Sequence, residues 1–151
     1  TVLKYLFEIV QPDFAFFGEK DYQQLQIVNK LVSIENLPVK VVGCPISRHD
    51  DGLAESSRNM RLTQKHRQVA PFIYNTLLKA KELFNDKPIA DVHQFVIDAF
   101  KDNELLKLEY FEIANASTLE HTTIKDTHET HRAFIAVFAD DVRLIDNIAL
   151  N

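Results

Sequence analysis

Cysteine is almost absent from this chain: Cys44 is the only one in 151 residues. A single thiol cannot build an internal disulfide framework. Such usage fits a reducing cytosol, so a cytoplasmic protein is expected. Cys44 follows an apolar run, which predicts a buried structural thiol rather than a reactive one. Long apolar runs are also missing. Crossing a bilayer takes about 20 predominantly apolar residues, and no stretch approaches that, so no membrane partner is expected. The first ten residues carry neither a basic n-region nor a small-residue cleavage site, so no secretory signal is read there. A basic excess is lacking as well. Lysine and arginine total 17 against 22 acids, a net charge of −5, whereas a nucleic-acid binder normally carries positive charge to neutralise phosphates. No nucleic-acid partner is expected. The chain begins at Thr1 rather than at methionine, which suggests a piece of something longer. Internal repeats and low-complexity tracts are absent too.

What is present is ordinary for a folded protein. Hydrophobic residues make up 46% and charged residues 26% of the chain, so disorder is not expected. The length suits one ordinary domain or two small ones. The organising stretch is Asp13-Phe14-Ala15-Phe16-Phe17-Gly18-Glu19-Lys20-Asp21-Tyr22-Gln23-Gln24. Phe14 to Phe17 is short, aromatic and uninterrupted, the pattern of a strand buried on both faces. It stops at Gly18, and a helix is expected from Asp21, which can serve as its N-cap. Strand-to-helix junctions are where parallel sheets place ligands. A glycine there lets backbone approach a ligand, and a helix start offers free N–H groups to an anion. Lys20 adds a mobile positive charge at the same spot.

Around this junction, Val2 to Val10 has the apolar period of a helix. Leu25, Ile27, Val28, Leu31, Val32 and Ile34 give the next helix an apolar face, and Asn36-Leu37-Pro38 stops it. Val39, Val41 and Val42 form a second strand closed by Gly43. The result is a strand–helix–strand unit of the kind that builds parallel sheets, here the tail of a larger doubly wound sheet. Arg48 to Arg61 reads as a long polar loop, dense in charge, and such loops are usually functional or disordered. The composition shift at Arg61-Leu62-Thr63 sets the expected boundary, giving domains 1–61 and 62–151. Thr63 should cap one long helix reaching Phe84, and Pro88 suits the first turn of another that ends near Asn103. Leu108 to Ala114, Ala133 to Phe138 and Val142 to Ile148 read as strands, the last two joined as a hairpin. The aromatics Tyr110, Phe111, Phe134 and Phe138 are expected on the sheet face under the helices. The fold class is therefore α/β plus α+β: a strand–helix–strand followed by a small domain of two helices on a three-stranded, mostly antiparallel sheet.

A second polar string, Asp51-Gly52-Leu53-Ala54-Glu55-Ser56-Ser57-Arg58-Asn59, carries two hydroxyls and an arginine in succession. Lys20, Ser56, Ser57 and Arg58 are groups suited to stabilising charge on phosphates. A lysine follows a phosphate as a point charge, and an arginine offers planar forked donors. Asp21 could hold ribose hydroxyls or take part in magnesium coordination, and Gln24 suits a hydroxy acid. His121, His128, Glu129 and His131 crowd one polar loop. Their spacing is not the helical zinc pattern with histidines four apart, so a solvated loop and no metal site are expected. His49, Asp50 and Asp51 are read the same way, as a charged moving loop.

The ordered pair of strings Gly18–Gln24 and Gly52–Asn59 resembles the pantoate–β-alanine ligase family, and Val142-Arg143-Leu144-Ile145-Asp146-Asn147 is similar to that family's C-terminal segment. The resemblance spans Val2 to Asn147 but covers only the C-terminal portion of a member. The N-terminal part with its adenylate-forming histidine signature is not in this sequence. The resemblance implies a Rossmann-like nucleotidyltransferase domain for 1–61 and a small C-terminal lid for 62–151, with Arg48 to Arg61 as hinge and phosphate loop. It implies ATP contacts from Gly18, Glu19, Lys20 and Asp21, a pantoate contact from Gln24, and a backbone contact to adenine near Ser47. It makes Glu55, Ser56, Ser57 and Arg58 a mobile phosphate-binding loop. Members usually carry Met or Leu where this chain has Glu55, so that residue is expected to contribute backbone only, its carboxylate turned away from the phosphates. ATP and Mg2+ are the implied cofactors. Pantoate, β-alanine and the N-terminal part of the same enzyme are the implied partners, and the intact enzyme would be a homodimer. The implied activity is AMP-forming ligation through pantoyl adenylate, with little or none expected of this chain alone. Two other readings compete: another adenylate-forming nucleotidyltransferase, and a non-catalytic interaction domain that keeps the fold.

Overall fold

The computed structural model describes residues 2–151 and divides into two compact units, Thr1–Ile46 and Ser47–Asn151. The division falls at Ile46/Ser47 rather than at 61/62. The polar loop goes with the second unit because its Leu53 is buried in that unit's core and its Arg48 is ion-paired to Asp146.

In the first unit, helix α1 (Val2–Val10) leads to strand β1 (Phe14–Gly18), a 3-10 turn (Glu19–Asp21), helix α2 (Tyr22–Ile34) and strand β2 (Lys40–Cys44). The two strands are parallel, with Phe14 opposite Lys40 and Gly18 opposite Cys44, and α2 is the crossover such a pair requires. Both helices end in a left-handed residue, Gln11 (φ 47°) and Asn36 (φ 51°), a common way to close a last turn. Phe7, Val28 and Val39 are buried together, with Ala15, Phe17 and Val41 against them. Strand side chains alternate between faces, so Phe14 and Phe16 point the other way and are 53% and 67% exposed. The expectation of a strand buried on both faces is corrected, and Phe16 is not a core residue: only one face of β1 is packed among the described residues. Asp21 holds the N-cap position of α2 but makes no side-chain capping bond, because the 3-10 turn already carries the chain into the helix. The α2 face is also narrower than its sequence pattern. Leu25 and Val28 are buried, while Ile27 and Ile34 are each 65% exposed.

In the second unit, the expected loop is ordered. A bridge joins Arg48 to Ala54, and a 3-10 turn runs Ser57–Arg61. Helices α3 (Gln64–Val69), α4 (Phe72–Asp86) and α5 (Ile89–Lys101) follow, then strands β3 (Lys107–Asn115), β4 (His131–Ala139) and β5 (Val142–Ala149). Thr63 caps α3 by accepting the His66 N–H. The one long helix is corrected to two, because Pro71 has no N–H to continue the first and stands at the N-cap of the second. Pro88 likewise stands at the N-cap of α5 rather than inside its first turn. The sheet runs β3–β4–β5, antiparallel throughout, and β4–β5 turns tightly at Asp140 (φ 58°).

The core lies between this sheet and α4 and α5, with Leu77, Val92, Val96, Leu106, Ile113 and Ile135 all at 0–2% exposure. Each such side chain is worth about 1.5–3 kcal/mol of apolar burial. Of the four aromatics expected on the helix-covered face, only Phe111 belongs to that core. Tyr110, Phe134 and Phe138 alternate onto the opposite face, with a register irregularity between Leu108 and Tyr110 shifting β3. Among the described residues, no helix is long and apolar enough to cross a membrane.

Candidate functional site

The two sequence strings fall on different units. Gly18 ends β1, and Glu19, Lys20 and Asp21 form the 3-10 turn that opens α2; Gln24 lies exposed on the first turns of that helix. Gly18 adopts an ordinary extended conformation (φ −69°), and a Cβ built on it would meet no atom within 4 Å. Neither backbone strain nor crowding inside the chain asks for glycine at this position. Gly43, at the end of β2, is different: a Cβ there would come within 3.0 Å of Leu25 Cδ2 and 3.3 Å of Glu19 Oε1. Its bareness lets the turn before α2 close onto the strand. Cys44 beside it is half-buried and a free thiol, less sheltered than expected.

In the second unit, Arg48 is the anchor of the polar string. Its guanidinium donates from Nη1 to Asp146 Oδ2 (2.6 Å) and from Nη2 to Asp146 Oδ1 (2.9 Å), and Nη1 also reaches the Gly52 carbonyl (3.1 Å). The guanidinium carbon stands 3.7 Å from the centre of the Tyr74 ring. Asp146 is 5% exposed, in register with Leu144 and Ile148 on the helix side of β5. An isolated carboxylate there would be costly, and the forked, stacked arginine is the partner that suits it. Gly52 turns the chain at φ +91°, and a Cβ would lie 2.6 Å from Tyr74 Cδ1, so both conformation and space demand glycine. The Asp51 Oδ1 oxygen accepts the Leu53 N–H (3.2 Å) and closes the turn.

Beyond this anchor, the string is strapped to itself. Ser47 Oγ donates to Glu55 Oε2 (2.7 Å), and the Glu55 N–H donates to the Ser47 carbonyl (2.9 Å). Ser56 Oγ accepts the Arg58 N–H (3.2 Å) and starts the 3-10 turn. A cleft of about 630 Å³ opens here, lined by His49, Glu55, Ser56, Ser57, Asn59 and Arg67 among others. Asn59 Nδ2 bonds the Ala54 carbonyl (3.1 Å) and lies 3.3 Å from His49 Nε2, while its Oδ1 is buried without a partner. The structure thus gathers Glu55, Ser56 and Ser57 at one cleft. Arg58 does not wall it; its Nη1 is 3.5 Å from the Arg143 carbonyl.

Arg67 does wall the cleft, from α3. Its Nη1 donates to Asp51 Oδ2 at 2.6 Å, and this bond holds the Asp51 carboxyl below the usual carboxylate range. Sequence reading gave no site role to Arg48, Asp146, His49 or Arg67. Asp146, an acid set in an apolar strand, is the one that carried a signal, since such a residue needs a cation from elsewhere. The other sequence features lie apart. His121 Nδ1 pairs with Glu112 Oε2 (2.7 Å), and His131 is buried against Phe84. Among the described residues, no three His, Cys, Asp or Glu side chains stand where they could hold a metal ion.

The family model described as Pantoate-beta-alanine ligase matches residues 1–149. The curated pantothenate synthetase of Christiangramia forsetii is 54% identical over all of this chain and 53% of its own length. That of Flavobacterium psychrophilum is 49% identical over 99% of this chain and 53% of its own. The chain thus spans about half the length of the curated relatives it matches. Among solved structures, pantothenate synthetase from Thermus thermophilus superposes with a TM-score of 0.90 at 36% identity, covering 99% of this chain and 54% of that one. A pantoate-beta-alanine ligase from Francisella tularensis, solved with beta-gamma ATP and beta-alanine, gives 0.65 at 27% identity, covering 99% and 48%. With a family match running almost from end to end, the chain belongs to the pantoate-beta-alanine ligase family.

Proposed function

We propose that this chain is the C-terminal portion of an ATP-dependent enzyme that condenses pantoate with β-alanine. The carboxylate of pantoate attacks the α-phosphorus of ATP and pyrophosphate leaves, giving pantoyl adenylate. The amine of β-alanine then attacks the mixed anhydride, and AMP leaves as pantothenate forms. The protein's part in such a transfer is alignment and stabilisation of charge on phosphates. The observation that carries this reading is that both family strings, the second departing at Glu55, stand on suitable local structure: one at a strand end opening a helix, the other ordered along a cleft.

In this reading, Gly18, Glu19, Lys20 and Asp21 contact ATP. A glycine that nothing inside the chain requires is explained by a ligand approaching its backbone. Gln24 contacts pantoate, and Ser47 contributes backbone to the adenine. Ser56, Ser57 and Arg58 act on the phosphates with Lys20, and Glu55 contributes backbone, its carboxylate retained by the Ser47 hydroxyl. Magnesium would enter on the nucleotide's phosphates. Among the described residues, the protein donors do not make a cage for it. The remaining half of the relatives' length would supply the histidine signature and most of the pantoate and β-alanine pocket. It would also continue the parallel sheet and cover the face of β1 that carries Phe14 and Phe16.

The test is a chimera in which this chain replaces the matching C-terminal 53% of the C. forsetii relative. Pantothenate and AMP should form in equal amounts, and Lys20→Ala should abolish turnover in a folded protein. The chain by itself should form little or no pantothenate. Turnover by the chain alone, or a folded chimera without activity, would refute the assignment.

A further inference from the structure

We propose that Arg67, rather than Arg58 alone, is a phosphate-binding residue of the cleft, and that Asp51 holds it in reserve. The inference deepens the ligase reading above and rests on it. The cleft is lined by donors an oxyanion needs, the hydroxyls of Ser56 and Ser57 and the guanidinium of Arg67, and the carboxylate in its lining, Glu55, is engaged by the Ser47 hydroxyl. Arg67 is the guanidinium among the cleft's walls, whereas Arg58 reaches toward the Arg143 carbonyl. A planar guanidinium can take two phosphate oxygens at once, which a hydroxyl cannot. Its placement on α3, fixed by the Thr63 cap and by Ala70 buried at 0% exposure, makes it a firmer donor than one on a 3-10 turn.

Asp51 competes for the same guanidinium through Oδ2 alone, since its Oδ1 is occupied by the Leu53 N–H. The two carboxylate oxygens thus have separable jobs, one closing the turn and one restraining Arg67. The pair is part-exposed, at 33% for Arg67 and 41% for Asp51. A phosphate can therefore displace the carboxylate without unfolding the turn. Replacing Asp51 by asparagine keeps an acceptor for Leu53 and removes the competing charge.

The test is calorimetric titration of the chain with inorganic tripolyphosphate. Arg67→Gln should weaken binding about tenfold, the loss of one charge-assisted contact, and Arg67→Lys should recover part of it. Asp51→Asn should tighten binding severalfold, with thermal melting close to that of the unchanged chain. A purely structural ion pair would give the opposite result: both variants would lose stability and neither would change affinity in a direction set by charge. Unchanged affinity in Arg67→Gln, with weaker binding in a Ser56→Ala/Ser57→Ala double variant, would overturn the role of Arg67 and leave the ligase reading standing. No tripolyphosphate binding by the unchanged chain would overturn this inference, while turnover by the chimera judges the ligase reading separately.

Discussion

Gly18 and Gly52 show how differently two glycines of the same strings can be used. Gly52 is demanded by its own chain: it turns at φ +91° with Tyr74 against it. Gly52→Ala should cost stability, about 1–3 kcal/mol for a strained backbone position, read by urea denaturation. Gly18 sits at an ordinary φ with open space beside it. Gly18→Ala should leave stability unchanged or raise it by up to about 1 kcal/mol, since it narrows the unfolded ensemble. If a nucleotide approaches this backbone, the same change should abolish ATP turnover in the chimera. Full activity in Gly18→Ala would remove Gly18 from the site. Both glycines are equally visible in the sequence. What separates them is the positive φ at Gly52 and the Tyr74 ring against it, and the ring is something no local pattern reveals.

His93 gives the residue scale a pH dependence. Burial pulls its pKa below the usual histidine value, Glu112 pushes it up, and His121 pulls it down. A histidine held neutral in the folded state binds fewer protons than in the unfolded chain. Its contribution is therefore complete above the unfolded pKa of about 6.5 and is lost as pH falls from there toward the lowered folded value. The chain should lose stability on acidification through this window, and His93→Phe should flatten that slope. An identical slope in the variant would show that other groups set it.

Among the elements, the β5 strand and the polar string depend on each other through Arg48 and Asp146. Their side chains are 17% and 3% exposed, and removing one partner strands the other charge. Arg48→Met should cost about 3–5 kcal/mol, measured by chemical denaturation, and should loosen hydrogen exchange through residues 48–54. A loss below about 1 kcal/mol would mean the pair is solvated like a surface bridge. Strands, helices and the hairpin were legible in the sequence from periodicity and turn residues. The break at Pro71 was legible too, yet the apolar pattern running from Val69 through Leu83 overrode it. The order of the loop was not legible. Its stability comes from Asp146 and Tyr74, distant in sequence, and from the single buried apolar residues Leu53 and Ala54. The same holds for the cleft: the serines announced themselves as a string, but Arg67 reads as one more surface cation on a short helix.

On the scale of the whole molecule, the first unit is the one left uncovered. Val2, Tyr5, Ile9, Phe14 and Phe16 are between 53% and 86% exposed, a large share of exposed apolar side chains for a unit with so small a core. The two-stranded parallel sheet is also short of the neighbours that cover such sheets. The composition could not announce this, since average hydrophobicity is blind to whether a partner segment is at hand. In the chimera, the β1 amides that point away from β2 should be protected from hydrogen exchange, and in the isolated chain they should exchange freely. Equal protection in both would mean that nothing further packs on this strand.

The central claim is that this chain serves nucleotidyl transfer to a carboxylate, and pyrophosphate exchange tests it most directly. Labelled pyrophosphate should enter ATP in the chimera when pantoate is present and β-alanine is withheld, and Lys20→Ala should stop it. Exchange that does not depend on pantoate, or turnover that releases ADP instead of AMP, would contradict the claim.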